Sequence, residues 1–217
     1  LEIVKAIIDF ILHIDHHLSE IIRDYQAWTY LILFLIIFAE TGFVVTPFLP
    51  GDSLLFAAGA LIAKGNTGLD IYVMASLLCI AAVLGNTVNY YLGSYLGVKV
   101  FKENNKVLKL EYYIQTQQFF NKHGGKAVIF SRFMPIIRTI APFVAGVGKM
   151  NISRYTLYNV AGGVAWVISF LVLGFLFGNI EVVKKNFTIV VFLIIIVSVL
   201  PAVFAAVRSK KEVKQDA

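Results

Sequence analysis

Between Phe130 and Met150 the chain reads F-S-R-F-M-P-I-I-R-T-I-A-P-F-V-A-G-V-G-K-M. The stretch is apolar enough to enter a bilayer, yet it holds two arginines, Arg132 and Arg138, and two prolines, Pro135 and Pro142. An arginine at the centre of a membrane helix costs about 2.5–3.5 kcal/mol even on insertion scales. Proline removes a backbone donor and clashes with the preceding turn, so a helix kinks or ends there. Two such breaks close together argue against one straight spanning helix, and irregular backbone at membrane depth needs protein or a water-filled cavity around it. Residues 127–148 are therefore expected to form a re-entrant hairpin, with Pro135 and Pro142 as its breaks and both arginines facing a polar cavity.

The rest of the chain agrees with a membrane protein. Of its 217 residues 59% are hydrophobic and only 15% charged, against about 25% charged in a soluble domain; the mean hydropathy is +0.79. The net charge of +6 collects between apolar segments rather than forming a nucleic-acid patch, so no nucleic-acid partner is expected. Cys79 is alone, which excludes an internal disulfide. No signal peptide is expected, because the chain opens on L-E-I-V-K rather than a basic region followed by a cleavage site.

A second broken apolar segment lies at 43–63, where Pro47, Pro50 and Gly51 interrupt F-V-V-T-P-F-L-P-G-D-S-L-L-F-A-A-G-A-L-I-A. Both segments place a charged residue beside a proline and then a run of small residues. The expected architecture is all-α and integral to the membrane. Residues 1–26 form an amphipathic interfacial helix, 28–42 a short spanning helix, 43–63 a first re-entrant hairpin and 71–97 a spanning helix. Residues 98–126 form a lysine-rich surface segment with an amphipathic helix near 108–122. The second hairpin is followed by spanning helices at 155–178 and 187–207 and a basic tail, 208–217. Gly85, Gly93 and Gly97 are expected to let the 71–97 helix approach its neighbours closely.

If the tail is cytoplasmic and both hairpins are re-entrant, both termini lie inside. Fourteen of the nineteen Lys and Arg residues then fall in cytoplasmic segments, as the positive-inside rule favours. The two hairpins enter from opposite sides, in the manner of an inverted repeat whose broken helices meet near the midplane to build a substrate site.

Four ionisable residues lie in or beside the hairpins: Glu40, Asp52, Arg132 and Arg138. Guanidinium is suited to phosphate because its fixed fork of donors binds two oxygens at once. Arg132 and Arg138 are the expected phosphate-binding residues, and Glu40 and Asp52 are expected to balance their charge or to carry protons. Each also has a structural reading: Glu40 snorkelling from a helix end, Asp52 capping a helix, the arginines in salt bridges with the acids. Asn86 and Asn89 put polar groups inside the 71–97 helix, as helix–helix hydrogen bonds or as part of the cavity lining. Tyr90 and Trp166 read as packing or interface anchors. The histidines at 13, 16 and 17 lack acid or cysteine partners at ligand spacing, so no metal site is expected. No cofactor is expected either.

The blocks E40-T-G-x4-P47-x2-P50-G51-D52-S-L-L-F-A-A-G59, F130-S-R-F-M-P-I-I-R-T-I-A-P-F-V-A-G146 and Y158-N159-x2-G162-G163-x2-W166 resemble the bacterial DedA family, which is related to eukaryotic VTT-domain lipid scramblases. The resemblance runs over nearly the whole chain. It implies an inner-membrane protein that handles lipid, most directly one that recycles undecaprenyl phosphate across the membrane. Phosphatidylethanolamine flipping or scrambling is the alternative, with proton coupling in some members. The family's functional acids match Glu40 and Asp52, and its functional arginines match Arg132 and Arg138. One departure bears on proton coupling. Members often carry an acid where G85-N86-T-V-N-Y90 has Asn86. The expected partner is an anionic membrane lipid, and a homo-oligomer is compatible with the sequence. A membrane lipid phosphatase is disfavoured, since neither hairpin supplies a histidine beside the arginines. An assembly factor that transports nothing would use the same charges structurally.

Overall fold

The computed structural model describes residues 26–43, 51–65, 67–100, 110–134 and 137–181. Every regular element among them is helical. In chain order these are α1 (Gln26–Gly42), α2 (Gly51–Ala63), α3 (Ile71–Leu96), α4 (Leu110–His123), α5 (Ala127–Ser131), α6 (Ile137–Val147) and α7 (Ile152–Gly178), with short 3-10 turns at Val98–Val100 and Gly124–Lys126. The expected helices at 1–26 and 187–207, the basic tail, and the breaks at Pro47, Pro50 and Pro135 lie outside the described residues.

Helices α3 (26 residues) and α7 (27 residues) are long and apolar enough to cross a bilayer; at 1.5 Å per residue each is about 40 Å long. Helix α1 has 17 residues, about 26 Å, a little less than the ~30 Å hydrocarbon core. The long helices expose large apolar side chains such as Tyr72, Ile80, Leu84, Leu157, Val164 and Leu176, as lipid-facing surfaces do.

The chain divides into two compact units, one with Pro50–Met74 and the chain from Phe170 onward together with the start of α1, the other with Ile32–Leu49 and Ala75–Ser169. In the first unit α2 meets the end of α7 backbone to backbone. A Cβ on Gly59 would overlap the Leu171 carbonyl, and one on Gly174 would overlap that of Phe56. The small-residue run A-A-G-A allows that approach. Asp70 caps α3, its Oδ1 accepting from the amides of Tyr72 (2.7 Å) and Val73 (2.9 Å).

The second unit holds the polar cluster. Its core joins Ile140, Phe143 and Val144 of α6 to Leu92, Leu110, Tyr113 and Phe120, and Tyr90, Val128, Ala145 and Tyr155 to Met150 and Tyr158. The amphipathic helix expected in the lysine-rich segment is α4, which lays its apolar face on α6. Tyr90 is a packing residue, as read. Its ring stacks on Tyr155 with centroids 4.4 Å apart, and its hydroxyl donates to the Met150 carbonyl.

Two expectations need correction. Pro142 does not break the second apolar segment: it lies inside α6, which continues through it to Val147. Eight consecutive residues, Thr139–Gly146, are buried, so protein packing holds the helix together where one backbone bond is lost. The interruption falls earlier. Amides of Arg132, Phe133 and Met134 bond three residues back, to Ile129, Phe130 and Ser131, and the Arg138 amide then bonds the Met134 carbonyl at 2.9 Å, opening a new helix. Gly97 also differs from Gly85 and Gly93. Cβ atoms on the latter two would overlap Thr41 and Phe143, whereas Gly97 has open space around it and φ +67°. It terminates α3 in the left-handed conformation that glycine adopts without strain.

Candidate functional site

Glu40, Arg132 and Arg138 come together, as the sequence suggests, and the interruption between α5 and α6 is the reason. On an unbroken helix, residues six apart would point roughly 120° away from each other. Here Arg132 leaves the end of α5 and Arg138 the first turn of α6, and both guanidiniums lie over one indole. The Cζ atoms are 5.9 Å (Arg132) and 5.6 Å (Arg138) from the Trp166 ring centre. A small cavity lies among Glu40, Arg132, Arg138 and Trp166, closed by Thr41, Asn86 and Thr139. The volume open to the centre of a water molecule is about 10 Å³, room for about one water.

The two arginines are held differently. Arg138 forms an ion pair with Glu40, Nη2 to Oε1 at 2.6 Å, with side-chain exposures of 12% and 2%. Glu40 therefore does not snorkel; it is buried near the end of α1. Arg132 is 2% exposed, and among the described residues no carboxylate lies within ion-pair distance of it. Its partners are neutral. Nη2 donates to the Ala82 carbonyl at 3.1 Å and to Asn159 Oδ1 at 2.7 Å. With the Asn86 amide turned so that both ends are satisfied, its oxygen accepts from Arg132 Nε (3.2 Å) and Nη2 (2.9 Å), and its nitrogen donates to the Thr41 carbonyl at 3.3 Å.

Backbone geometry makes room for this cluster. Gly85 brings α3 against Thr41 and Phe38 of α1, while Gly146 brings α6 against Tyr90 of α3. Asn89 then ties α1 to α6, donating to the Thr41 carbonyl at 3.2 Å and the Thr139 carbonyl at 2.8 Å. Asn86 lines the cavity and Asn89 secures its walls. Asp52 belongs to the first unit, where it stands half-buried in the first turn of α2, a position that complements the helix dipole. Gly51 is the first residue of that helix.

The sequence reading passed over Asn159, Thr41 and Thr139 and took Trp166 for an anchor. A signal for two of them was present: Asn159 and Trp166 are seven residues apart, so they share a helix face, and both are polar or amphipathic residues in an apolar helix.

The chain matches the model of the VTT domain over residues 49–176. It is 48% identical over 212 residues to protein DedA of Escherichia coli (strain K12), covering 97% of each chain. It belongs to the DedA family of VTT-domain membrane proteins. This DedA-family chain is also 39% identical over 173 residues to a membrane protein of Mycobacterium leprae (strain TN), 79% of this chain and 77% of the relative. With inner membrane protein YqjA of Escherichia coli (strain K12) it shares 37% identity over 157 residues, 72% and 70% of the two chains. No solved structure matches it.

Proposed function

We propose that this chain moves an anionic lipid across the bacterial inner membrane without altering it chemically, by gripping the phosphate of the headgroup between Arg132 and Arg138. The observation that carries the reading is the state of Arg132: a buried guanidinium held in place by neutral oxygens. Burying a charge with no carboxylate at ion-pair distance among the described residues, and only the Arg138-paired Glu40 across the cavity, is costly, and apolar packing would serve stability better. A cation so placed fits a site that takes its anion from a ligand. Undecaprenyl phosphate is the lipid that the family resemblance implies.

Glu40 compensates charge in the empty site. The cavity admits about one water, so a phosphate requires it to widen. The Arg138–Glu40 pair is the contact in its wall that a phosphate can replace, with Glu40 turning away or taking a proton. Segments 43–63 and 127–148 act as re-entrant hairpins entering from opposite sides, with both termini cytoplasmic, and Asp52 serves the first hairpin as Glu40 serves the second. The test is flipping in proteoliposomes of three lipids: a polyprenyl phosphate, the matching uncharged polyprenol, and phosphatidylethanolamine. Movement of the polyprenyl phosphate alone supports the reading. Equal movement of phosphatidylethanolamine favours general scrambling, and movement of the uncharged polyprenol at the same rate removes the phosphate grip altogether.

A further inference from the structure

Residues 159–166 of α7 form one continuous surface against Arg132. Asn159, Gly162, Gly163 and Trp166 follow at helical spacings of three, four and seven, so they share a face. Asn159 binds the guanidinium end-on through Oδ1 at 2.7 Å. Its orientation is fixed, because its nitrogen donates to the Val83 carbonyl (3.0 Å) and Thr87 Oγ1 (3.2 Å) on α3. The two glycines line the groove in which the side chain lies: a Cβ on Gly162 would press on Ile129 Cα at 3.0 Å and touch Arg132 Cγ at 3.4 Å, and one on Gly163 would press on Val83 Cγ2 at 3.2 Å and touch Nη2 at 3.4 Å. Trp166, 1% exposed, closes the groove and reaches Arg138 as well.

We propose that this face of α7 is a neutral cradle: Asn159 and Trp166 are positioning residues that hold Arg132, and space it from Arg138, for a phosphate group without neutralising it. The proposal rests on the phosphate-grip reading above and deepens it. Two guanidiniums drawn to one cavity repel each other. The negative face of an indole attracts both, so it steadies the pair before a ligand arrives, and it carries no charge that would compete with the phosphate. An amide at 159 does the same: it accepts a hydrogen bond from Arg132 where an aspartate would claim the cation outright.

The substitution Asn159→Asp separates this role from a structural one. It keeps the shape and the acceptor and supplies a counter-ion. A purely structural Asn159 predicts unchanged transport. The cradle predicts that thermal stability holds or rises while flipping of a polyprenyl phosphate falls at least tenfold. Trp166→Phe weakens the aromatic face and is expected to raise the half-saturating lipid concentration about threefold, and Trp166→Leu about tenfold, with turnover little changed. A third readout needs no loss of function. The chain has two tryptophans, so in a Trp28→Phe background the emission of Trp166 alone should shift when a short-chain polyprenyl phosphate is added in detergent. Wild-type transport by Asn159→Asp and Trp166→Phe, with unchanged Trp166 emission at saturating lipid, overturns the cradle. If Arg132→Met is inactive in the same assay, the phosphate grip survives that outcome; an active Arg132→Met removes the grip itself.

Discussion

The unequal surroundings of the two arginines give a stability prediction that is independent of transport. Arg138→Met deprives Glu40, whose side chain is 2% exposed, of a partner at 2.6 Å. Breaking a buried pair from one side costs about 3–5 kcal/mol, because the remaining charge stays buried. Direct Coulomb attraction at about 4 Å and an effective dielectric near 20 is about 4 kcal/mol, which agrees. Arg132→Met removes a buried cation with no carboxylate of its own. It leaves the side-chain oxygens of Asn159 and Asn86 short of a donor, at about 1–3 kcal/mol for each oxygen left unsatisfied, while the Ala82 carbonyl keeps its place in the α3 helical ladder. It also relieves the desolvation of the guanidinium, so the net change should stay within about 2 kcal/mol. At roughly 2–4 °C per kcal/mol for a chain of this size, thermal unfolding in detergent should fall by about 6–20 °C for Arg138→Met and by no more than about 4–8 °C for Arg132→Met, the first drop being at least about 1.5 times the second at any one conversion. Adding Glu40→Gln to Arg138→Met should restore most of that loss, whereas adding it to Arg132→Met should not. Equal destabilisation by the two methionines, or no rescue by Glu40→Gln, would refute the asymmetry.

Gly146→Ala forces a Cβ into the Tyr90 carbonyl and should cost about 3 kcal/mol or more by overpacking, read as a lower unfolding temperature. Lys149 holds φ 49° at the end of α6, where its amide bonds Gly146 and that of Met150 bonds Ala145. Lys149→Gly should therefore stabilise by about 1 kcal/mol and Lys149→Val destabilise by at least as much. The two-hairpin topology predicts that, in a Cys79→Ala background, cysteines introduced by Asn66→Cys and Asn104→Cys react with impermeant reagents from opposite faces of the membrane; reaction of both from one face contradicts it.

Much of the site could be read from the sequence, because an intramembrane charge is expensive and therefore conspicuous. Glu40, Arg132 and Arg138 stood out in apolar surroundings, and the described helices stop at Ser131 and resume at Ile137, on either side of Pro135, which itself lies outside the described residues. Pro142 misled because a proline's cost depends on what surrounds it. In α6 the backbone is enclosed by protein, and one missing bond does not end the helix. Trp166 and Asn159 were harder to see. A tryptophan in an apolar helix has the same sequence signature whether it meets lipid or a guanidinium, and only the packing of α7 on the Arg132 side chain separates the two. The start of α7 at Ile152, three residues before the expected 155, had a readable cause in Asn151, whose Oδ1 accepts from the amides of Ser153 (3.0 Å) and Arg154 (3.2 Å).

The account stands most directly on Arg132. Purified Arg132→Met, reconstituted into vesicles with a polyprenyl phosphate in one leaflet, should unfold near the wild-type temperature and flip the lipid no faster than protein-free vesicles do. Flipping at the wild-type rate by that folded variant would contradict the claim that Arg132 takes its counter-charge from the lipid.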